Sequence, residues 1–239
     1  MKKKVTLILL IIAVGGFIVW RTTHRPEFLY AGTVEATEVD ISPRLAAPLL
    51  EILPQEGDPV LRGAVIVRLD GADLKLAADQ AERDFKRGIA LNKNGSLPNE
   101  ALERLRFRRD DAVLRLAWCD LESPLDGTVL RRYREPGEWV VPGQKILTLA
   151  NLNQLYAYVY VPAPVMEKLK LNQEVTAWLP FSRGRRLTGK VVHIRNEAEF
   201  TPKNVQTRTE RERLVFGIKI AFDNTDGLLK PGMSVELPF

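Results

Sequence analysis

Residues 42–71, SPRLAAPLLEILPQEGDPVLRGAVIVRLDG, and residues 123–150, SPLDGTVLRRYREPGEWVVPGQKILTLA, are two copies of one pattern. Both open on Ser-Pro, at Ser42-Pro43 and Ser123-Pro124. Both then reach Gly-acid-x-Val-x-x-Gly-x-x-Ile-x-x-Leu, carried by Gly57, Asp58, Val60, Gly63, Ile66 and Leu69 and again by Gly137, Glu138, Val140, Gly143, Ile146 and Leu149. Each glycine falls between short apolar runs, where a tight turn needs backbone angles that other residues resist. A unit of this size cannot bury its own apolar face, so the two copies are expected to pack face to face as a small β-sandwich. The second copy has Asp126-Gly127-Thr128 where the first has Ala46-Ala47-Pro48, which predicts a slightly different bend there.

Between the copies, residues 72–120 are rich in Ala, Leu, Glu, Lys and Arg, the good helix formers. Leu74, Ala78, Ala81, Phe85 and Ile89 recur at steps of three or four, and so do Leu102, Leu105, Ala112, Leu116 and Cys119, with Arg109 interrupting the second seam. Both stripes are narrow, as in a coiled coil. Asn94-Gly95 ends the first helix and Pro98 suits the first turn of the second, so the chain turns back as an antiparallel hairpin with arms of about 30 Å.

On these features the chain resembles the HlyD-type membrane fusion proteins, or periplasmic adaptors, whose biotinyl/lipoyl-like domain is split by a helical hairpin. In carrier domains of that fold the halves meet at a hairpin bearing a modified lysine; here two helices stand in that place, so no carrier chemistry and no cofactor is expected. The resemblance implies that the hairpin tip is the point furthest from the membrane and docks against a TolC-like outer-membrane channel through an Arg, a Leu and a Ser at set spacing. Arg87 and Leu91 match the first two, while the third falls on Pro98, with Ser96 two residues earlier. The tip residues implied for partner binding are therefore Arg87, Leu91, Asn94, Gly95, Ser96 and Pro98. Read as solvated residues alone, the same positions are ordinary charges and turn formers.

The N-terminus adds the membrane. MKKK precedes an uncharged run from Val5 to Trp20, then Arg21. Trp20 sits where an interfacial aromatic belongs, and Lys2, Lys3 and Lys4 mark the cytoplasmic side, so a single uncleaved inner-membrane anchor with the rest of the chain in the periplasm is expected. A cleaved signal peptide is the alternative; its small-x-small site is missing from Phe17, Ile18, Val19, Trp20 and Arg21. The net charge of +5 falls to +2 without those three lysines (5 minus 3), which gives no reason to expect nucleic acid.

After residue 150 the pattern turns to strands. In LYAYVYV, Leu155, Ala157, Val159 and Val161 alternate with Tyr156, Tyr158 and Tyr160; EVTAWL, RLTGKVVHI and RLVFGIKIAF follow, the last placing Leu214, Phe216, Ile218, Ile220 and Phe222 on one face. With a short helix at PAPVMEKLK and a last strand in DGLLKPGMSVEL, this predicts a compact β-barrel. EAEFTPKNVQTRTERERLVF, ending in KPGM, resembles the barrel of adaptors of the YbhG kind, which implies an ABC-type exporter as partner and assembly as a ring of copies. The stop at Phe239, without a further domain, is expected to favour that partner over an RND or MFS pump. Arg183, Arg185 and Arg186 are candidates for contact with the transporter or with lipid.

The expected fold is thus mainly β with an α-helical hairpin. It divides as anchor 1–25, first strand and first half 26–71, hairpin 72–120, second half 121–150 and barrel 151–239. Catalysis is not expected. His24 and His193 stand alone, with no HExxH, GxSxG, P-loop or GxGxxG. Asp110 and Asp111 are adjacent on a helix and point different ways. Met1, Met166 and Met233 are scattered, so no metal site is expected. Cys119 continues a helical seam and reads as a small core residue, and Asn94-Gly95-Ser96 reads as a helix turn although it matches a glycosylation sequon. The alternative from another class is a lipoyl-like carrier or ligand-binding module.

Overall fold

In the computed structural model the described residues are 29–182, 185–200 and 214–239. The expected anchor, with Lys2, Lys3, Lys4 and Trp20, and also Arg183 lie outside them. Among the described residues no helix is long and apolar enough to cross a membrane. The protein is mainly β with one helical hairpin, and the chain divides into two compact units. One holds Glu35–Leu155 with Asn224–Lys230; the other holds the described residues up to Val34, Tyr156–Asp223 and Pro231–Phe239.

β1 (Leu29–Ile41), which enters the first of these units at Glu35, leads into the first repeat, which forms β2 (Ala47–Ile52), β3 (Pro59–Val60) and β4 (Val65–Leu69). β5 (Asp120–Glu122) leads into the second repeat, which forms β6 (Gly127–Arg132), β7 (Trp139–Val140) and the start of β8 (Leu147–Pro162). The copies interlock. β2 pairs with β7 through Ala47–Val140, and its counterpart β6 pairs with β3 through Gly127–Val60. The cross-bonds come in matched pairs: Gly57 N–H donates to Val129 at 2.8 Å while Gly137 N–H donates to Leu49 at 2.7 Å, and Gly63 reaches Ser123 at 2.8 Å while Gly143 reaches Pro43 at 3.2 Å. Gly57 and Gly137 share φ of 93°, Gly63 and Gly143 share φ of 80°, so the four repeat glycines adopt the left-handed angles their turns need.

Between them the halves seal one core, in which Leu49, Ile66, Val67, Val129, Ile146 and Leu147 are at most 1% exposed. Each such side chain contributes about 1.5–3 kcal/mol of burial. The expected difference in bend is a matter of length: five residues, 42–46, join β1 to β2, and four, 123–126, join β5 to β6.

The hairpin consists of α1 (Ala72–Lys93) and α2 (Asn99–Ala117). It leaves the core where β4 and β5 pair through Arg68 and Asp120. Cys119 is buried there, as expected of a core residue, and its Sγ fills the place a Cβ on Gly71 would need, 2.7 Å away. The seam is thin. Only Ala78 and Gly88 are buried on α1, and none on α2. The helices close on each other at Gly88, where an added Cβ would lie 2.5 Å from Leu105 Cδ1. Arg109, which breaks the apolar stripe, is accommodated across the seam: its guanidinium lies 4.5 Å from the Phe85 ring centre and 3.5 Å from Glu82.

In the other unit the strand order is β1, β12 (Ser234–Pro238), β9 (Glu174–Leu179), β10 (Arg185–Phe200), β11 (Leu214–Asp223) and β8, and β1 also pairs with β8. The short helix expected at PAPVMEKLK is the single turn α3 (Ala163–Met166). Leu155, Ala157, Val159 and Val161 are buried to 1% or less, as their alternation requires, and the intervening tyrosines are half-buried. The alternation read in β11 fails at its start. Leu214 is 48% exposed and Val215 is buried in its stead, because Gly217 and Ile218 are buried in succession, which shifts the alternation by one residue where the pairing with β10 is irregular between Ile194 and Ala198.

Candidate partner-docking site

The hairpin tip is set by how α1 ends. Lys93 is its last residue, Asn94 caps it with φ −91°, and Gly95 takes φ +73°. Gly95 N–H donates to Asn92 O at 2.9 Å and Ser96 N–H to Leu91 O at 2.9 Å, the paired bonds of a Schellman ending, in which the left-handed residue is glycine because a Cβ is disfavoured there. Pro98 stands one position earlier than expected, as the cap of α2, with φ −61° and ψ 148°. Its carbonyl accepts from Ala101 and Leu102 at 3.0 and 3.1 Å.

Of the sequence-derived tip residues, Asn94, Gly95, Ser96 and Pro98 are exposed together in this five-residue connection. Leu91 is 42% exposed on the last turn of α1. Arg87 lies one turn below, exposed, and its guanidinium pairs with Asp84 on the same helix. Such an exposed pair is worth little to folding and leaves Arg87 available to a partner. The structure also places a residue that sequence reasoning missed. Asn92 Nδ2 donates to Leu97 O at 2.8 Å and to Asn99 Oδ1 at 2.8 Å, tying the end of α1 to the start of α2.

Arg185 and Arg186 belong to the other unit, where β10 begins. Both are exposed, and Arg186 lies 5.8 Å from the Trp178 ring centre across the β9–β10 pair. Phe181, in the turn before them, is 88% exposed, a feature visible as Pro180-Phe181-Ser182 beside the arginines but not singled out.

A second cluster escaped the sequence reading because it joins three strands. Lys219 Nζ sits 3.6 Å from the Tyr156 ring centre, Arg195 lies 4.9 Å from that of Tyr158, and the two tyrosines meet edge-on at 5.7 Å. On β1, Asp40 accepts from Lys145 at 2.5 Å and from Thr148 Oγ1 at 2.6 Å. These hydrogen bonds, Lys145 first, hold the Asp40 carboxyl below its ordinary pKa, and the same bond to Asp40 raises Lys145. Burial pushes the Cys119 thiol up, which keeps it protonated and unreactive.

Comparison with known proteins matches residues 155–239 to the CusB-like, beta-barrel domain family Beta-barrel_RND_2. A UPF0194 membrane protein encoded beside asrC in Acidithiobacillus ferridurans is 32% identical over 176 residues, which are 71% of this chain and 52% of that protein. A UPF0194 membrane protein of Citrobacter koseri is 24% identical over 324 aligned residues, covering 100% of this chain and 98% of its own length. That alignment exceeds this chain by 85 positions (324 minus 239), so the relative carries internal residues that this chain lacks. The chain spans about half the length of the Acidithiobacillus protein. Among solved structures, a MacA-MexA chimeric protein containing the Pseudomonas aeruginosa MexA α-hairpin domain superposes with a TM-score of 0.74 at 17% identity, over 88% of this chain and 79% of that one. That likeness is one of fold.

Proposed function

We propose that this chain, a member of the YbhG-type UPF0194 proteins within the membrane fusion proteins, serves as a periplasmic adaptor linking an inner-membrane exporter to a TolC-like outer-membrane channel. The observation that carries the reading is the exposed hairpin tip. Its two helices are inserted between interlocked half-domains, in the place where a carrier domain has its lysine-bearing hairpin, so the lipoyl-like core gives them a rigid base. In this reading Val5–Trp20 spans the inner membrane once, residues beyond about 25 are periplasmic, 151–239 form the β-barrel, and copies assemble as a ring. The chain itself performs no catalysis.

For the exporter, the sequence resemblance of residues 197–216 and KPGM to adaptors of the YbhG kind supports an ABC-type partner; the barrel family's RND designation favours an RND pump as the second reading. Photocrosslinking in cells tests the polarity and the partner together. A probe at Arg87 should capture an outer-membrane channel, and one at Arg185 an inner-membrane transporter whose sequence identifies its class. Capture of only the transporter from Arg87 would refute tip docking. An alkaline phosphatase fusion at Phe239 should be active in intact cells, and an inactive one would place the chain on the wrong side.

A further inference from the structure

We propose that Asn92 is the positioning residue of the tip: its amide clasps α1 to α2 so that Leu91 and Ser96 are presented in one fixed arrangement to the partner. The proposal rests on the docking reading above and names the device behind it. Leu97 O can only accept, so the group facing it at 2.8 Å must be the Asn92 NH2, and the second hydrogen of the same NH2 serves Asn99 Oδ1 at 2.8 Å. Asn92 O meanwhile accepts from Gly95, and Leu91 O from Ser96. One residue thus holds both ends of the connection 94–98. Asn92 and Leu97 are half-buried, whereas Leu91, Ser96 and Pro98 are exposed. The clasp therefore faces inward and the docking candidates outward.

The need for such a device follows from how little else orders the tip. Gly95 is left-handed with nothing within 4 Å of an added Cβ, and α1 has no buried residue beyond Gly88. A five-residue loop held by its Schellman bonds alone would sample several arrangements, and a partner would have to select one at an entropic cost. Fixing the loop beforehand removes that cost from docking. Asn92 touches no partner in this account; it acts through Leu91 and Ser96.

The test compares Asn92→Asp, which keeps the shape and loses both donors, with Asn99→Asp, which keeps the acceptor. Both are made in the full chain, expressed in its own cells. Two measurements are read. Hydrogen exchange of the purified chain should show the amides of residues 94–97 exchanging about tenfold faster in Asn92→Asp, as loss of a net hydrogen bond or two implies, with Asn99→Asp near wild type and the circular dichroism of all three alike. Photocrosslinking from a probe at Leu91 to the outer-membrane channel should fall by a similar factor in Asn92→Asp and persist in Asn99→Asp. If exchange rises and crosslinking does not change, or if exchange itself does not change, Asn92 does not position the tip. If the Leu91 probe captures no outer-membrane protein even in the unaltered chain, tip docking itself fails and takes this proposal with it.

Discussion

Among single residues, Asp40 shows how a half-exposed charge can still report on folding. Its carboxylate accepts from Lys145 and from Thr148, a hydroxyl that is 1% exposed and reaches Tyr133 OH at 3.2 Å on its other side. Because the folded pKa of Asp40 lies below its ordinary 3.8, the unfolded chain takes up the proton first as pH falls. Its contribution is therefore complete above that ordinary value and lost as pH drops through the folded one. Lys145 has the opposite sign: raised above 10.5, it contributes below that value and loses the contribution as pH rises through the folded pKa. Asp40→Asn should lower the melting temperature at neutral pH, and the gap to the unaltered chain should close between about pH 5 and pH 2. Melting curves by circular dichroism across that range decide it; a gap that stays constant would show that the charge plays no part.

At the scale of elements, Gly127 and its repeat counterpart Ala47 show two demands on one position. Both open a strand and pair with a valine, Gly127 with Val60 and Ala47 with Val140. Neither has a positive φ, so the glycine is not needed for its backbone angle. A Cβ on Gly127 would instead lie 2.7 Å from the carbonyl oxygen of Ala150, an atom fixed in β8. Gly127→Ala is expected to cost about 1–3 kcal/mol, read as a lower midpoint in urea, whereas Ala47→Gly should cost about 1 kcal/mol or less. Equal effects would mean that the close approach is absent.

The elements that the sequence disclosed were those with period or repetition. The interlocked halves were legible because their glycines and valines recur in order, and the helices because Leu102, Leu105 and Leu116 keep their spacing. Leu214 and Phe216 were misread because Gly217 and Ile218 are buried in succession, a change of phase that strict alternation cannot carry. Asn92 was missed for a related reason: its partners are five and seven residues away, across a turn whose geometry no periodicity encodes.

For the molecule as a whole, topology makes the two halves of the lipoyl-like unit depend on each other. Each strand of the first half pairs with the chain that follows the hairpin: β2 with β7, β3 with β6, β4 with β5. The chain between them is a hairpin whose tip contributes nothing to the buried core. A break at the tip should therefore leave all the pairing surfaces intact and remove only the covalent tether, whose worth is the effective concentration it supplies. Co-expression of residues 26–95 with residues 96–239 should yield a complex that copurifies and shows the native spread of amide shifts, with a melting temperature that rises with protein concentration, unlike that of the uncut chain. Each fragment alone should lack its partner edges and stay unfolded, exposing the backbone groups of Leu49 and Val129 that the other half otherwise satisfies. A folded fragment 26–95 in isolation, or a pair that fails to associate, would mean that the halves are stabilised separately and that the matched bonds at Gly57 and Gly137 do not govern the fold.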